Sequence, residues 1–172
     1  MSLPVQDIFP QLIEQFATNN RVILQAPPGA GKSTLLPLLL LDTGRFSNSQ
    51  QIIMLEPRRV AARQIASYLA QQLGEKVGQR IGLVMRGENK TSRQTIITIV
   101  TDGVMVRQLQ ADPELNNIGL LIFDEFHERA LQTDLALALA LDAQELNDQV
   151  KLLIMSATLD LERLSSELAA PV

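Results

Sequence analysis

Cysteine is absent and histidine occurs once, as His127, in a chain of 172 residues. Those absences exclude a disulfide framework, a thiolate metal site and any metal centre built from several imidazoles. There is no tryptophan, and one tyrosine and five phenylalanines supply all the aromatic rings. A surface that stacks on successive bases through aromatic side chains is therefore hard to build here. Long hydrophobic runs are missing too. The richest apolar stretch, 131–146, is interrupted by Asp134 and Asp142 and is too short and too charged to span a bilayer. The first six residues lack the basic patch and apolar run of a secretory signal, so the expected location is the cytoplasm, with no membrane partner.

What remains is the composition of a folded domain: 46% hydrophobic and 20% charged residues, in a length suited to one domain with a sizeable core. The formal charge of −4 counts against a nucleic-acid partner until its distribution is examined. Residues 1–95 carry eleven Lys or Arg against six Asp or Glu, whereas residues 96–172 carry four against thirteen. A basic half is masked by an acidic one.

Short runs rich in Val and Ile at 21–25, 51–56, 81–86, 95–101, 119–124 and 151–156 predict buried strands. Stretches with helical spacing lie between several of them, at 32–41, 60–73, 103–110 and 133–145. Segments 44–51 and 87–94 read as exposed loops. Strands alternating with helices predict an α/β fold with a largely parallel sheet covered on both faces, and such sheets bind ligands at the carboxyl ends of their strands. The chemically suggestive residues cluster at those ends. Gln25 leads into a glycine-rich loop, Glu56 into Pro57-Arg58-Arg59, Thr101 into Asp102-Gly103, Phe123 into an acidic cluster, and Met155 into Ser156-Ala157-Thr158.

The loop Ala26-Pro27-Pro28-Gly29-Ala30-Gly31-Lys32-Ser33-Thr34 follows a predicted strand and opens a predicted helix, the setting of a phosphate-binding P-loop. Small residues let backbone N–H groups wrap phosphates, Lys32 can reach the outer phosphates of a nucleotide, and the Ser33 hydroxyl can bind Mg²⁺. An ordinary glycine turn before a helix is the plain alternative. Downstream, Asp124 and Glu125 leave a buried strand at the same edge. Asp124 would hold Mg²⁺, and Glu125 would orient and deprotonate water, the two side chains diverging because neighbours on a strand point to opposite sides. Helix capping by the acidic pair is the competing reading.

The motifs APPGAGKST, LEPRR, TDG, DEFHER and MSATLD, in this order and spacing, resemble the first RecA-like domain of superfamily 2 DExH/DEAH helicases, most closely the bacterial HrpB type. The resemblance extends over roughly residues 21 to 163. It implies a RecA-like P-loop NTPase fold in which Pro28, Gly29, Ala30, Gly31, Lys32, Ser33 and Thr34 bind ATP. Ser33, Asp124 and Glu125 would form the Mg²⁺ site, with Glu125 as catalytic base, and His127 would link the nucleotide site to a partner domain. Ser156 and Thr158 would couple hydrolysis to movement. Pro57, Arg58, Arg59, Thr101, Asp102 and Gly103 would lie along the backbone of single-stranded nucleic acid, RNA ahead of DNA. Arg63 would extend that basic patch or pair locally, and Arg86 is a further basic candidate.

Two positions depart from the family. Leu83 stands where relatives commonly have tyrosine in Gly-Tyr-x-x-Arg, and Tyr68 occupies the place of an arginine that often stacks on adenine. The resemblance also implies a second RecA-like domain with arginine fingers, which the chain through Val172 does not supply. The sequence therefore reads as one ATP-binding domain, 1–172, of a longer protein, binding nucleotide but hydrolysing it slowly by itself. Two other functions remain open at this point: a P-loop phosphotransferase acting on a substrate hydroxyl, and a nucleotide-dependent interaction module.

Overall fold

The computed structural model describes residues 3–128, 130–158 and 161–172. Arg129 of the DEFHER motif and Leu159 and Asp160 of the MSATLD motif lie outside the described residues. Seven strands form one sheet: β1 (Arg21–Gln25), β2 (Gln51–Leu55), β3 (Ile81–Met85), β4 (Glu88–Lys90), β5 (Ile97–Val100), β6 (Ile118–Phe123) and β7 (Lys151–Ser156). Their order is β1-β7-β6-β2-β5-β3-β4, and every neighbouring pair is parallel except β3 with β4. The helices are α1 (Pro4–Thr18), α2 (Leu36–Asp42), α3 (Arg59–Gln72), α4 (Asp102–Ala111), α5 (Leu131–Leu146) and α6 (Leu161–Leu168).

Strand alternation divides the core in two. On β2, Ile52 and Met54 join the cluster beneath α1, α2 and α3, while Ile53 and Leu55 join the one beneath α4, α5 and α6. Both faces being covered explains the near-continuous apolar runs of the central strands, since no side of them meets water. Burying an aliphatic side chain of this kind stabilises by roughly 1.5–3 kcal/mol, so the two clusters are the main source of stability.

Register sets the site. Leu55 is level with Val100 on one side and Phe123 on the other, and Gln25 is level with Ser156. The residues that follow, Ala26, Glu56, Thr101, Asp124 and Ala157, consequently emerge along a single sheet edge. Three cross-links hold that edge: Glu56 N–H donates to Val100 O at 2.9 Å, Asp124 N–H to Leu55 O at 3.0 Å, and Ala26 N–H to Ser156 O at 3.2 Å.

All six predicted strands are present, and four elements come in addition, one of them a single 3-10 turn at Phe126–Glu128. The expected loop at 87–94 contains β4, an antiparallel edge strand reached from β3 through a tight turn with Gly87 at φ +81°. Its three residues are too few and too polar to show alternation. Helix α6 holds Leu164 and Leu168 against the core. Helix α1 has a legible pattern, with Val5, Ile8, Phe9, Leu12, Ile13 and Phe16 all buried or packed against the core. Pro10 in its interior obscures it. In α2, the expected start at Lys32 is a set of turns, with the N–H groups of Leu35 and Leu36 both donating to Gly31 O.

Candidate nucleotide and nucleic-acid site

The P-loop takes its shape from its glycines and from α1. Gly29 and Gly31 have φ of +80° and +90°, a region unfavourable to L side chains. At Gly31 the constraint is also steric: a Cβ would stand 3.0 Å from Leu3 Cδ1 and from Val5 Cγ1, and 3.3 Å from Leu35 Cβ. Val5, fully buried, also donates its N–H to Ala30 O at 3.1 Å, so α1 buttresses the loop from behind. Pro27, Pro28 and Gly29 are exposed at its crest.

Lys32 is 5% exposed, its Nζ donating to Ala26 O at 2.5 Å and Pro27 O at 3.1 Å. Ser33 Oγ donates to Asp124 Oδ2 at 2.5 Å, joining the P-loop to the end of β6 across 91 residues of sequence. Thr34 follows on the same turn, half-buried.

Asp124 is completely buried, and Glu56 at the end of β2 is 1% exposed. Each of the two carboxyls acts on the other's proton affinity. Burial, and then the Asp124 charge, push the Glu56 carboxyl up from 4.5 to about 8, against the opposing influence of Arg58. Asp124 is raised as well, first by burial and then by the Glu125 charge, while the Ser33 hydroxyl works in the opposite direction. Burial thus favours the uncharged form of both carboxyls, Glu56 the more clearly.

Glu125 diverges from Asp124 for a reason other than strand alternation. β6 ends at Phe123, and Glu125 adopts φ +52°, a left-handed corner that a residue with a Cβ occupies at some cost. Asp124 Oδ1 accepts the Glu125 N–H at 2.9 Å and fixes this corner. Glu125 Oε2 then lies 3.0 Å from His127 Nε2. His127 Nδ1 accepts the Ala157 N–H at 3.3 Å and lies 3.2 Å from Ser156 Oγ. An accepting Nδ1 assigns the ring hydrogen to Nε2, facing Glu125. Within this domain His127 thus ties the acidic corner to the end of β7, where buried Ser156 also donates to the Thr158 carbonyl at 3.2 Å. The Thr158 residue itself is exposed.

A groove of about 620 Å³ opens beside this network, lined by Pro57, Arg59, Arg86 and Thr101-Asp102-Gly103. Thr101 precedes α4 in extended conformation, and Asp102 Oδ1 accepts the Gly103 N–H at 2.8 Å. Arg59 donates to Arg86 O at 3.2 Å. Arg58, next to the groove, pairs with Glu56 and Glu128. Arg63 is committed to a 2.8 Å ion pair with Glu88, the local alternative of its two readings. Tyr68 lies on α3 and is 43% exposed.

Sequence reasoning overlooked several participants. Arg107 and Gln132 also line the groove. Arg107 could have been found, because it falls one helical turn after Gly103 on α4. Glu56 was visible only as a strand end, although a carboxyl closing the run Ile52-Ile53-Met54-Leu55 signals a buried acid. Gln132 carried no signal, since its place depends on α5 packing beside α4, where its Oε1 would be 2.9 Å from a Cβ at Gly103.

A P-loop joined by hydrogen bond to an acidic strand end, at the carboxyl edge of a parallel sheet, defines the class as a P-loop nucleotide-binding domain. The family model for DEAD/DEAH box helicases matches residues 5–166, and the chain belongs to that family. It is 53% identical over 173 residues to the ATP-dependent RNA helicase HrpB of Escherichia coli (strain K12), covering 99% of this chain and 21% of that protein. It is also 38% identical over 164 residues to the pre-mRNA-splicing factor ATP-dependent RNA helicase prp22 of Schizosaccharomyces pombe, covering 95% of this chain and 14% of that one. A crystal structure of the Escherichia coli DEAH/RHA helicase HrpB superposes with a TM-score of 0.94 at 53% identity, over 99% of this chain and 22% of that structure. The chain spans about a fifth of the length of the HrpB proteins it matches.

Proposed function

We propose that this domain binds Mg-ATP and forms one half of a motor that couples ATP hydrolysis to movement along single-stranded nucleic acid, RNA in preference to DNA. The observation that carries the proposal is the shared sheet edge: P-loop, acidic corner and basic groove emerge along it, with the Ser33–Asp124 hydrogen bond on one side and the Glu56–Arg58 ion pair on the other. Both relatives are named as ATP-dependent RNA helicases, which supports the choice of RNA.

Lys32 would exchange the Ala26 and Pro27 carbonyls for nucleotide phosphates, and the loop N–H groups would cradle them. Ser33 and Asp124 offer adjacent hard oxygen donors that suit Mg²⁺, which when bound would neutralise charge on the transferring phosphate. Glu125, named above both as ligand and as base, has its carboxylate on His127 Nε2, an arrangement suited to holding a base in place. His127, Ser156 and Thr158 would carry changes at that corner to the end of β7. Pro57, Arg59, Thr101, Asp102 and Gly103 would track the sugar-phosphate backbone, Arg86 and Arg107 adding positive charge. Such contacts give little sequence preference. A second RecA-like domain of the same polypeptide would close over the nucleotide and supply the arginine that speeds hydrolysis.

The test is binding of labelled oligouridine across a range of KCl concentrations. Arg59→Ala is expected to weaken binding and to lower the slope of log affinity against log salt by about 1. Binding that is independent of salt, or untouched by Arg59→Ala, would refute the strand assignment.

A further inference from the structure

Gln132 reaches the groove from the first turn of α5, outside every motif on which the family resemblance was drawn. It is exposed, and its amide has no hydrogen-bond partner among the described residues. A missing side chain makes room for it. Gly103, in the first turn of α4, has no Cβ, and one built there would stand 2.9 Å from Gln132 Oε1. Leu135, one turn further on the same face of α5, is 43% exposed and also lines the groove.

The groove is mixed in a way that phosphate binding alone does not require. Arg59, Arg86 and Arg107 suit phosphate oxygens. Asp102 does not suit them, since a carboxylate repels a phosphate, yet it shares the same wall and its Oδ1 accepts the Gly103 N–H at 2.8 Å. Asp102 and Gln132 therefore bring acceptor oxygens to the neighbourhood of Gly103, within a cationic groove. The backbone of RNA carries one hydrogen-bond donor per nucleotide, the 2′-hydroxyl, and the backbone of DNA carries none.

We propose that Gln132 is a specificity-determining residue, its amide bonding the 2′-hydroxyl of a ribose whose flanking phosphates lie on the groove arginines. The inference rests on the reading of this groove as the strand site and assigns its preference for RNA to one side chain. An amide suits the task because it both donates and accepts, as a hydroxyl does, and carries no charge to attract phosphate in its place. Leu135 and Pro57 offer apolar surface to the sugar carbons. On a deoxy strand the exposed amide returns to water, so the discrimination is the net value of one neutral hydrogen bond, roughly two- to tenfold in affinity.

The experiment measures binding of labelled oligouridine, its 2′-deoxy counterpart and its 2′-fluoro counterpart to this chain by fluorescence anisotropy at one KCl concentration. The base is the same in all three, and the 2′-fluoro strand keeps an RNA-like sugar pucker without the hydroxyl. The unaltered chain is expected to bind the RNA roughly two- to tenfold more tightly than either of the others. Gln132→Ala should weaken RNA binding alone and bring the three affinities together. Gln132→Glu keeps an acceptor oxygen, so it should weaken all three by repelling phosphate and still prefer RNA. If Gln132→Ala weakens all three equally, or changes none, the sugar assignment is overturned while the strand reading stands. A 2′-fluoro strand bound as tightly as RNA, or no preference in the unaltered chain, overturns it too. If no strand binds in a salt-dependent manner, the strand reading itself fails. Gln132 is at the surface, so both variants are expected to fold.

Discussion

Replacing Glu56 by glutamine should make the fold markedly less sensitive to alkaline pH. The Glu56 carboxyl is raised from 4.5 to about 8, chiefly by burial and then by Asp124. The folded chain thus binds this proton more tightly than the unfolded chain does. The stabilising effect is fully present below about pH 4.5 and is lost progressively as the pH rises through about 8. At about 1.4 kcal/mol per tenfold change in proton affinity, the full loss is at most about 5 kcal/mol. That is a large part of the 5–15 kcal/mol that roughly bounds a domain of ordinary stability. Glutamine imitates the protonated acid: it is neutral and its amide can donate to Asp124. At pH 5 the variant and the unaltered chain should agree within about 1 kcal/mol, the scale of one hydrogen bond. By pH 8.5 the variant should be the more stable, by roughly 2–5 kcal/mol. Urea unfolding in EDTA at pH 5, 6, 7, 8 and 8.5 measures this directly. Stability curves that stay parallel over that range would refute the account of a buried Glu56 carboxyl that keeps its proton.

Further outcomes follow from the same contacts. Gly31→Ala should destabilise by about 1–3 kcal/mol, because φ is +90° and the new Cβ meets Leu3, Val5 and Leu35; thermal unfolding reads this, with Gly29→Ala, which meets nothing within 4 Å, as the milder comparison. Val5→Ala opens a space behind the P-loop and should cost roughly 1–3 kcal/mol, while also weakening Mg-ATP binding in calorimetry. Asp124→Asn should raise stability at pH 8 by removing a buried charge, yet abolish the Mg²⁺ dependence of nucleotide binding; unchanged Mg²⁺ dependence would remove Asp124 from the metal site.

The central strands were legible in the sequence because burial on both faces demands unbroken apolar runs such as Leu120-Leu121-Ile122-Phe123. The P-loop and the Asp124–Glu125 corner were legible because their chemistry depends on local backbone shape and fixed residue types. What escaped depends on tertiary neighbours. β4 forms only because β3 offers an open edge, and α1 was hidden by Pro10 although its apolar spacing is regular. The divergence of Asp124 and Glu125 was correctly anticipated but assigned to strand alternation, when a left-handed residue past the strand end produces it. Glu56 acquires its character from burial and then from Asp124, 68 positions later in the chain, and no local pattern announces either.

The most direct test of the central claim, an ATP site and a strand site built on one sheet edge, is equilibrium binding and turnover of Mg-ATP by this chain and by Lys32→Ala, each with and without single-stranded RNA. The account predicts nucleotide binding that requires Lys32 and responds to RNA, with slow turnover in the chain alone. Binding that survives Lys32→Ala, or rapid turnover indifferent to RNA, would contradict it.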